Sequence, residues 1–150
     1  MRILTAFTHS LGGQDAYALA ARLSDALSWP MDMVSIIRGG THGAITEGSD
    51  IAYQDVVLQQ VVQWMDEVTY VRPTELPVTK HLRYNDSFPE GLIETAVELG
   101  SSLLVAGGGR HGLTGRVSLG SIGQTLLNAS PVPVALAPRG TRFEIGRAHV

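Results

Sequence analysis

The chain has 150 residues, enough for one domain of ordinary size that buries about two-thirds of its unfolded-state surface around a single core. It contains no cysteine, which excludes disulfides, thiolate metal sites, iron–sulfur clusters and cysteine nucleophiles, and is compatible with a reducing compartment. Eleven Lys and Arg against 14 Asp and Glu leave a net charge of −3, so the chain lacks the positive footprint of a general nucleic-acid binder or of a protein held on anionic membranes.

The opening run Arg2-Ile3-Leu4-Thr5-Ala6-Phe7 reads as a buried strand that ends in the polar turn Thr8-His9-Ser10-Leu11-Gly12-Gly13. Broken by Thr5, Thr8, His9 and Ser10, it is too short for a signal-peptide core or a membrane span, and a cytoplasmic protein is expected. Ala16, Leu19, Ala20, Leu23, Ala26 and Leu27 then recur at helical spacing and stop before Pro30. Met31 to Ile37 is a second strand, followed by an aperiodic loop from Arg38 to Asp50 with Gly39, Gly40, Gly43 and Gly48. Val57, Val61, Trp64 and Val68 mark the apolar stripe of a second helix, closed off by Pro73, and Trp64 is expected in the core.

Pro77 to Tyr84 alternates weakly, as an exposed edge strand does. Ser87 with Glu90 three residues on forms a capping box for a third helix, and Gly100 is placed for its left-handed C-terminal cap. Asp86, at the end of the preceding strand, is expected to serve the turn or the cap. Ser102 to Ala106 is an uninterrupted apolar strand leading into a glycine-dense stretch from Gly107 to Ser121. A short helix with Ile122, Leu126 and Leu127 follows, and Pro131 to Ala137 makes a fifth strand. Strand and helix alternate throughout, which predicts an open, doubly wound α/β domain: a five-stranded parallel sheet with helices on both faces. Pro133 lacks an amide hydrogen, so the fifth strand is expected at an edge or paired through its other side, which makes it a candidate dimer seam.

Glu144 to Val150 continues no periodic pattern and matches the translation of a common sequencing-adapter DNA. The expected domain is therefore residues 1–143, with 144–150 a non-native tail or the cut start of a tandem second domain.

A glycine-rich loop between a buried strand and a helix N-terminus suits phosphate, because the backbone approaches closely, amides donate and the helix dipole adds positive potential. The same glycines serve equally well to turn the chain tightly. There is no Gly-Lys-Ser/Thr of a P-loop and no GxGxxG after the first strand. Arg110 and Arg116 add local positive charge to the loop. His9 and His111 fall on loops at the carboxyl edge of the sheet, but no His-x-x-x-His or carboxylate cluster accompanies them, and both read as solvent-exposed loop residues. No nucleophile elbow, Ser-His-Asp order or paired carboxylates can be placed by spacing, so catalysis is not expected.

Across residues 1 to about 138 the sequence resembles the universal stress protein family. The resemblance lies in Ile3-Leu4-Thr5-Ala6-Phe7 before a Ser-containing turn, Leu103-Leu104-Val105-Ala106-Gly107, and Gly120-Ser121 before a helix and Ser130-Pro131-Val132-Pro133-Val134. It implies a Rossmann-like fold of the adenine nucleotide alpha hydrolase type and a role in stress response. The family's nucleotide-binding motif, Gly-x2-Gly-x9-Gly-Ser/Thr, fits from Gly107 to Gly120-Ser121, but its second glycine falls on Arg110, with Gly109 and Gly112 nearby. Nucleotide-binding relatives place an Asp where this chain has Thr8. The resemblance implies ATP, with Mg²⁺ between its phosphate oxygens, held by Thr8 and Ile36 near the adenosine and by Gly107, Gly109, Arg110, Gly112, Gly120, Ser121 and Ile122 near the phosphates. It also implies a homodimer, or a pairing with a tandem second domain, through the fifth strand. The competing expectation is a dimerisation or scaffold domain that has lost its ligand, for which Thr8 and Arg110 are the grounds.

Overall fold

The short apolar runs become the strands of one sheet. The computed structural model describes residues 1–38, 43–44, 51–108 and 121–144. In chain order the elements are β1 (Ile3–Ala6), α1 (Leu11–Leu27), β2 (Met31–Ile37), β3 (Gly43–Ala44), α2 (Ile51–Val71), β4 (Val78–Tyr84), α3 (Phe88–Glu98), β5 (Leu103–Gly107), α4 (Ser121–Ala129), β6 (Val134–Ala137) and α5 (Thr141–Glu144). The sheet runs β3-β4-β2-β1-β5-β6. Five of its strands are parallel as expected, and the two-residue β3 is an unforeseen antiparallel addition, with Gly43 opposite Tyr84 and Ala44 opposite Arg83. A Gly-Ala pair has no side-chain alternation to announce a strand. β4 is thus covered only at its end.

Side-chain alternation divides the core into two layers. Ile3, Phe7, Met31, Met33 and Val105 face α1 and α2, where Ala16, Tyr17, Ala20, Val61 and Met65 meet them. Leu4, Ala6, Val34, Leu104 and Ala106 face α3 and α4, against Leu92, Ala96 and Leu126. Small alanines on α1 let the helix lie close on the sheet, so the apolar area removed from water is large for modest side chains.

Two helix starts show why local sequence matters. The Ser10 side chain accepts from the Gly13 amide, so α1 begins at Leu11, and Gly12 and Gly13 belong to its first turn and not to the preceding loop. Ser87 caps α3 by accepting from the Glu90 amide, and Gly100 closes that end at φ 64°, both as the sequence predicts. The turn before α3 is made by Asn85, whose Oδ1 accepts from the Ser87 amide at 2.9 Å, whereas Asp86 is exposed. β6 starts only at Val134, and the Pro133 carbonyl still accepts from Leu104 at 2.9 Å. Among the described residues β6 is an edge strand, one of the two placements expected from the proline.

At the amino edge of the sheet, Asp32 is buried between Arg2, which donates from Nε at 2.7 Å and from Nη2 at 3.0 Å, and His81 Nε2 at 2.9 Å. Burial alone would push the Asp32 carboxyl up, but the hydrogen bonds and charges of Arg2 and His81 outweigh it and hold the carboxyl below its ordinary value. A carboxylate with a depressed folded-state pKa stabilises the fold above its unfolded value, and that contribution is lost as the pH falls through about 4 and below. Asp32→Asn is therefore expected to lower stability at neutral pH and to flatten the loss of stability between about pH 5 and pH 2 in urea titrations. An unchanged acid limb would show that other carboxylates govern it.

Candidate functional site

The order of the strands puts the topological switch point between β1 and β5, where consecutive connections leave in opposite directions. Open α/β sheets bind ligands at the carboxyl ends of the strands at such a switch point. The register brings the predicted residues to this edge. Ala6 lies opposite Val34, and the Phe7 amide donates to the Val34 carbonyl at 2.8 Å, so Thr8 and Ile36 leave neighbouring strands at the same level. β5 ends beside them at Gly107.

Glycines set the shape of this edge by packing. A Cβ on Gly13 would stand 1.9 Å from the Thr8 carbonyl oxygen. One on Gly107 would meet the Gly12 carbonyl oxygen at 2.9 Å, and one on Gly108 the Ala137 carbonyl oxygen at 2.8 Å. Gly107, expected near phosphate, is thus already required by the first turn of α1. Ile36 lies on the α3 face, where a Cβ on Gly91 would come within 3.0 Å of its Cδ1. Thr8 is exposed and its Oγ1 lies 2.7 Å from the Ser10 hydroxyl. Ile122, in the first turn of α4, is 41% exposed. Gly109, Arg110, His111, Gly112, Arg116 and Gly120 lie outside the described residues, as does the Ser121 side chain, although α4 begins at Ser121 as expected.

Two features escaped the sequence reading. Trp64 packs against the core only in part: Met65 beside it is fully buried, while the half-buried indole also stacks on the exposed His9, with ring centroids 4.0 Å apart and planes 8° from parallel. Helical spacing cannot tell Trp64 from Met65 when both border the apolar stripe. The pair stands over a cleft of about 200 Å³ lined by Phe7, Thr8, His9, Gln14, Trp64, Glu67, Val68 and Val71. The second feature is the buried carboxylate of Asp15, which accepts from the Gly140 amide at 3.1 Å, the Arg142 amide at 2.9 Å and Arg142 Nη1 at 3.0 Å. Arg142 in turn offers its carbonyl to Arg72, and the Arg72 carbonyl accepts from the Tyr17 hydroxyl, each at 2.6 Å. Burial pushes Tyr17 up to about 12, so it stays a donor. This chain of bonds pins α5 and the end of α2 to α1. Among the described residues no group of three His, Cys, Asp or Glu side chains is arranged to hold a metal ion, and no helix is long and apolar enough to cross a membrane.

The sequence matches the model of the universal stress protein family over residues 1–138. The chain belongs to the universal stress protein family. The curated universal stress protein Rv2319c of Mycobacterium tuberculosis is 40% identical over 67 residues, which are 45% of this chain and 23% of that protein. The matched stretch is thus about a quarter of its curated relative's length. Among solved structures, a universal stress protein in complex with cAMP superposes with a TM-score of 0.66 at 15% identity, covering 93% of this chain and 98% of that one. The universal stress protein from Archaeoglobus fulgidus in complex with dAMP gives 0.56 at 18% identity, covering 91% and 96%. At these identities the likeness is one of fold, and it confirms the doubly wound α/β architecture.

The glycine contacts yield a paired expectation. Gly13→Ala drives a methyl into the Thr8 backbone and is expected to cost about 3 kcal/mol in chemical unfolding. Gly12→Ala, whose Cβ would meet nothing nearer than the Ser10 hydroxyl at 3.9 Å, is expected to leave stability unchanged or raise it by roughly 0.5–1 kcal/mol, as alanine does in a helix. Equal effects would contradict the close approach.

Proposed function

We propose that this domain binds an adenine nucleotide, ATP by preference, at the carboxyl edge of its sheet, and acts in stress response through the difference between its liganded and unliganded states. The observation that supports this reading is the strand register, which brings Thr8, Ile36 and Gly107 to the carboxyl ends of β1, β2 and β5 beside the switch point between β1 and β5. The cAMP and dAMP held by the two neighbours support an adenine ligand. In this reading Thr8 and Ile36 flank the adenosine, and Gly107, Gly109, Arg110, Gly112, Gly120, Ser121 and Ile122 surround the phosphates.

Ser121, the first residue of α4, supplies a hydroxyl and the positive end of a helix dipole. Arg110 takes the place of the motif's second glycine and gives phosphate a two-pronged donor instead of a bare backbone approach. Mg²⁺ would arrive with the nucleotide and would neutralise part of its phosphate charge beside Ser121 and Arg110. The mechanism is binding and release, not turnover, in a cytoplasmic setting. Among the described residues β6 is the outermost strand on its side of the sheet, and in this reading its edge is the seam for a second copy of the chain or for a tandem second domain.

A second reading has its own observation. Thr8 stands where an Asp is expected, and its hydroxyl is already engaged with Ser10. A domain that has lost its ligand and serves as a dimerisation scaffold would look this way. Calorimetric titration with Mg²⁺-ATP separates the two. The nucleotide reading predicts micromolar affinity or better, about −8 kcal/mol, falling at least tenfold in Ser121→Ala. Silence from the natural sequence, with binding restored by Arg110→Gly, would establish the scaffold reading.

A further inference from the structure

The glycine-lined edge does not account for Trp64. A half-buried indole whose free face is covered by an exposed imidazole at 4.0 Å and 8° is a surface already shown to accept a flat nitrogen heterocycle. Phe7, Trp64, Val68 and Val71 form apolar walls beneath it, and Thr8, Gln14 and Glu67 form a polar rim. Apolar walls with a few convergent polar groups are the usual make-up of a small-molecule site. About 200 Å³ is room for one fused ring.

The rim narrows the chemistry. Among the described residues that line the cleft, His9 and Glu67 are the ionisable ones. Gln63 donates to Glu67 at 3.5 Å, a long contact that leaves the carboxylate able to accept a stronger donor. A carboxylate accepts N–H and repels phosphate. Ile36, by contrast, packs on the α3 face of the sheet, away from this cleft on the α1 and α2 face.

We propose that the cleft between β1, α1 and α2 is a second ligand site, which takes a phosphate-free, flat heteroaromatic ring bearing N–H donors. The ring stacks on Trp64 in the place of His9, and Glu67 accepts from it. The site shares Thr8 with the nucleotide reading and otherwise stands on its own observations, the stack of Trp64 on His9 and the Glu67 rim.

Trp29→Phe leaves Trp64 as the sole tryptophan of the chain, so its fluorescence reports on the cleft. Free adenine is the probe and AMP its phosphate-bearing counterpart. The expected result is a saturable quench by adenine that persists in excess ATP, with AMP at least tenfold weaker, and a gap that closes in Glu67→Gln. His9→Ala, which bares the indole without touching the core, is expected to tighten adenine binding several-fold. No saturable response to adenine, loss of the response in excess ATP, AMP binding as well as adenine, or weaker binding in His9→Ala would each overturn the proposal. ATP failing to bind at all would defeat the nucleotide reading and leave the adenine response to decide this one.

Discussion

The carboxyl edge of this domain depends on backbone meeting backbone. Helix α1 starts directly against the end of β1, with Gly13 over the Thr8 carbonyl, and β5 ends against the same helix through Gly107 and Gly12. No residue with a Cβ fits at Gly13 without moving β1 or α1. This packing decides the height at which α1 begins and brings its Ser10 cap beside Thr8. The switch point lies at this same edge. Glycine here is first a packing device, and any service to phosphate is built upon that.

Buried charge then holds the assembly at both ends. Asp32 ties the amino edges of β1, β2 and β4 together through Arg2 and His81. Asp15 ties α5 to α1 through two amides and a guanidinium. Each carboxylate loses hydration on burial, and each recovers it in charge-assisted hydrogen bonds of 2.7–3.1 Å. Removing the cationic partner would strand a buried carboxylate, which costs far more than an exposed pair contributes. The two amides on Asp15 come from Gly140, in the turn before α5, and from Arg142 within it.

Much of this was legible because the signals are local. Ser87 and Glu90 announce α3, Gly100 closes it, and Pro133 marks β6 as a candidate for the edge, each through the chemistry of one or two residues. The alternation of strand and helix carried the fold class. What was not legible depends on partners distant in sequence. Asp15 reads as an ordinary helix residue until Arg142 is brought to it, 127 positions on. Trp64 reads as a core residue, and only the finished fold shows that Met65 is the fully buried one while Trp64 reaches His9. β3 has no side-chain pattern at all. Of the candidate site, the register brought Thr8, Ile36 and Gly107 to one edge, while Gly109, Arg110, Gly112 and Gly120 lie outside the described residues.

The central claim is that the nucleotide is held at the switch point, across the ends of β1, β2 and β5 and the start of α4. Hydrogen exchange with and without Mg²⁺-ATP tests it most directly, because it reports where amides are shielded and not merely whether heat is released. The account predicts slowed exchange in residues 8–14, at Ile36 and Ile37, in residues 107–108 and in the first turn of α4, with the amino edge around Asp32 unchanged. Protection confined to β6, or spread evenly over the domain, would contradict it.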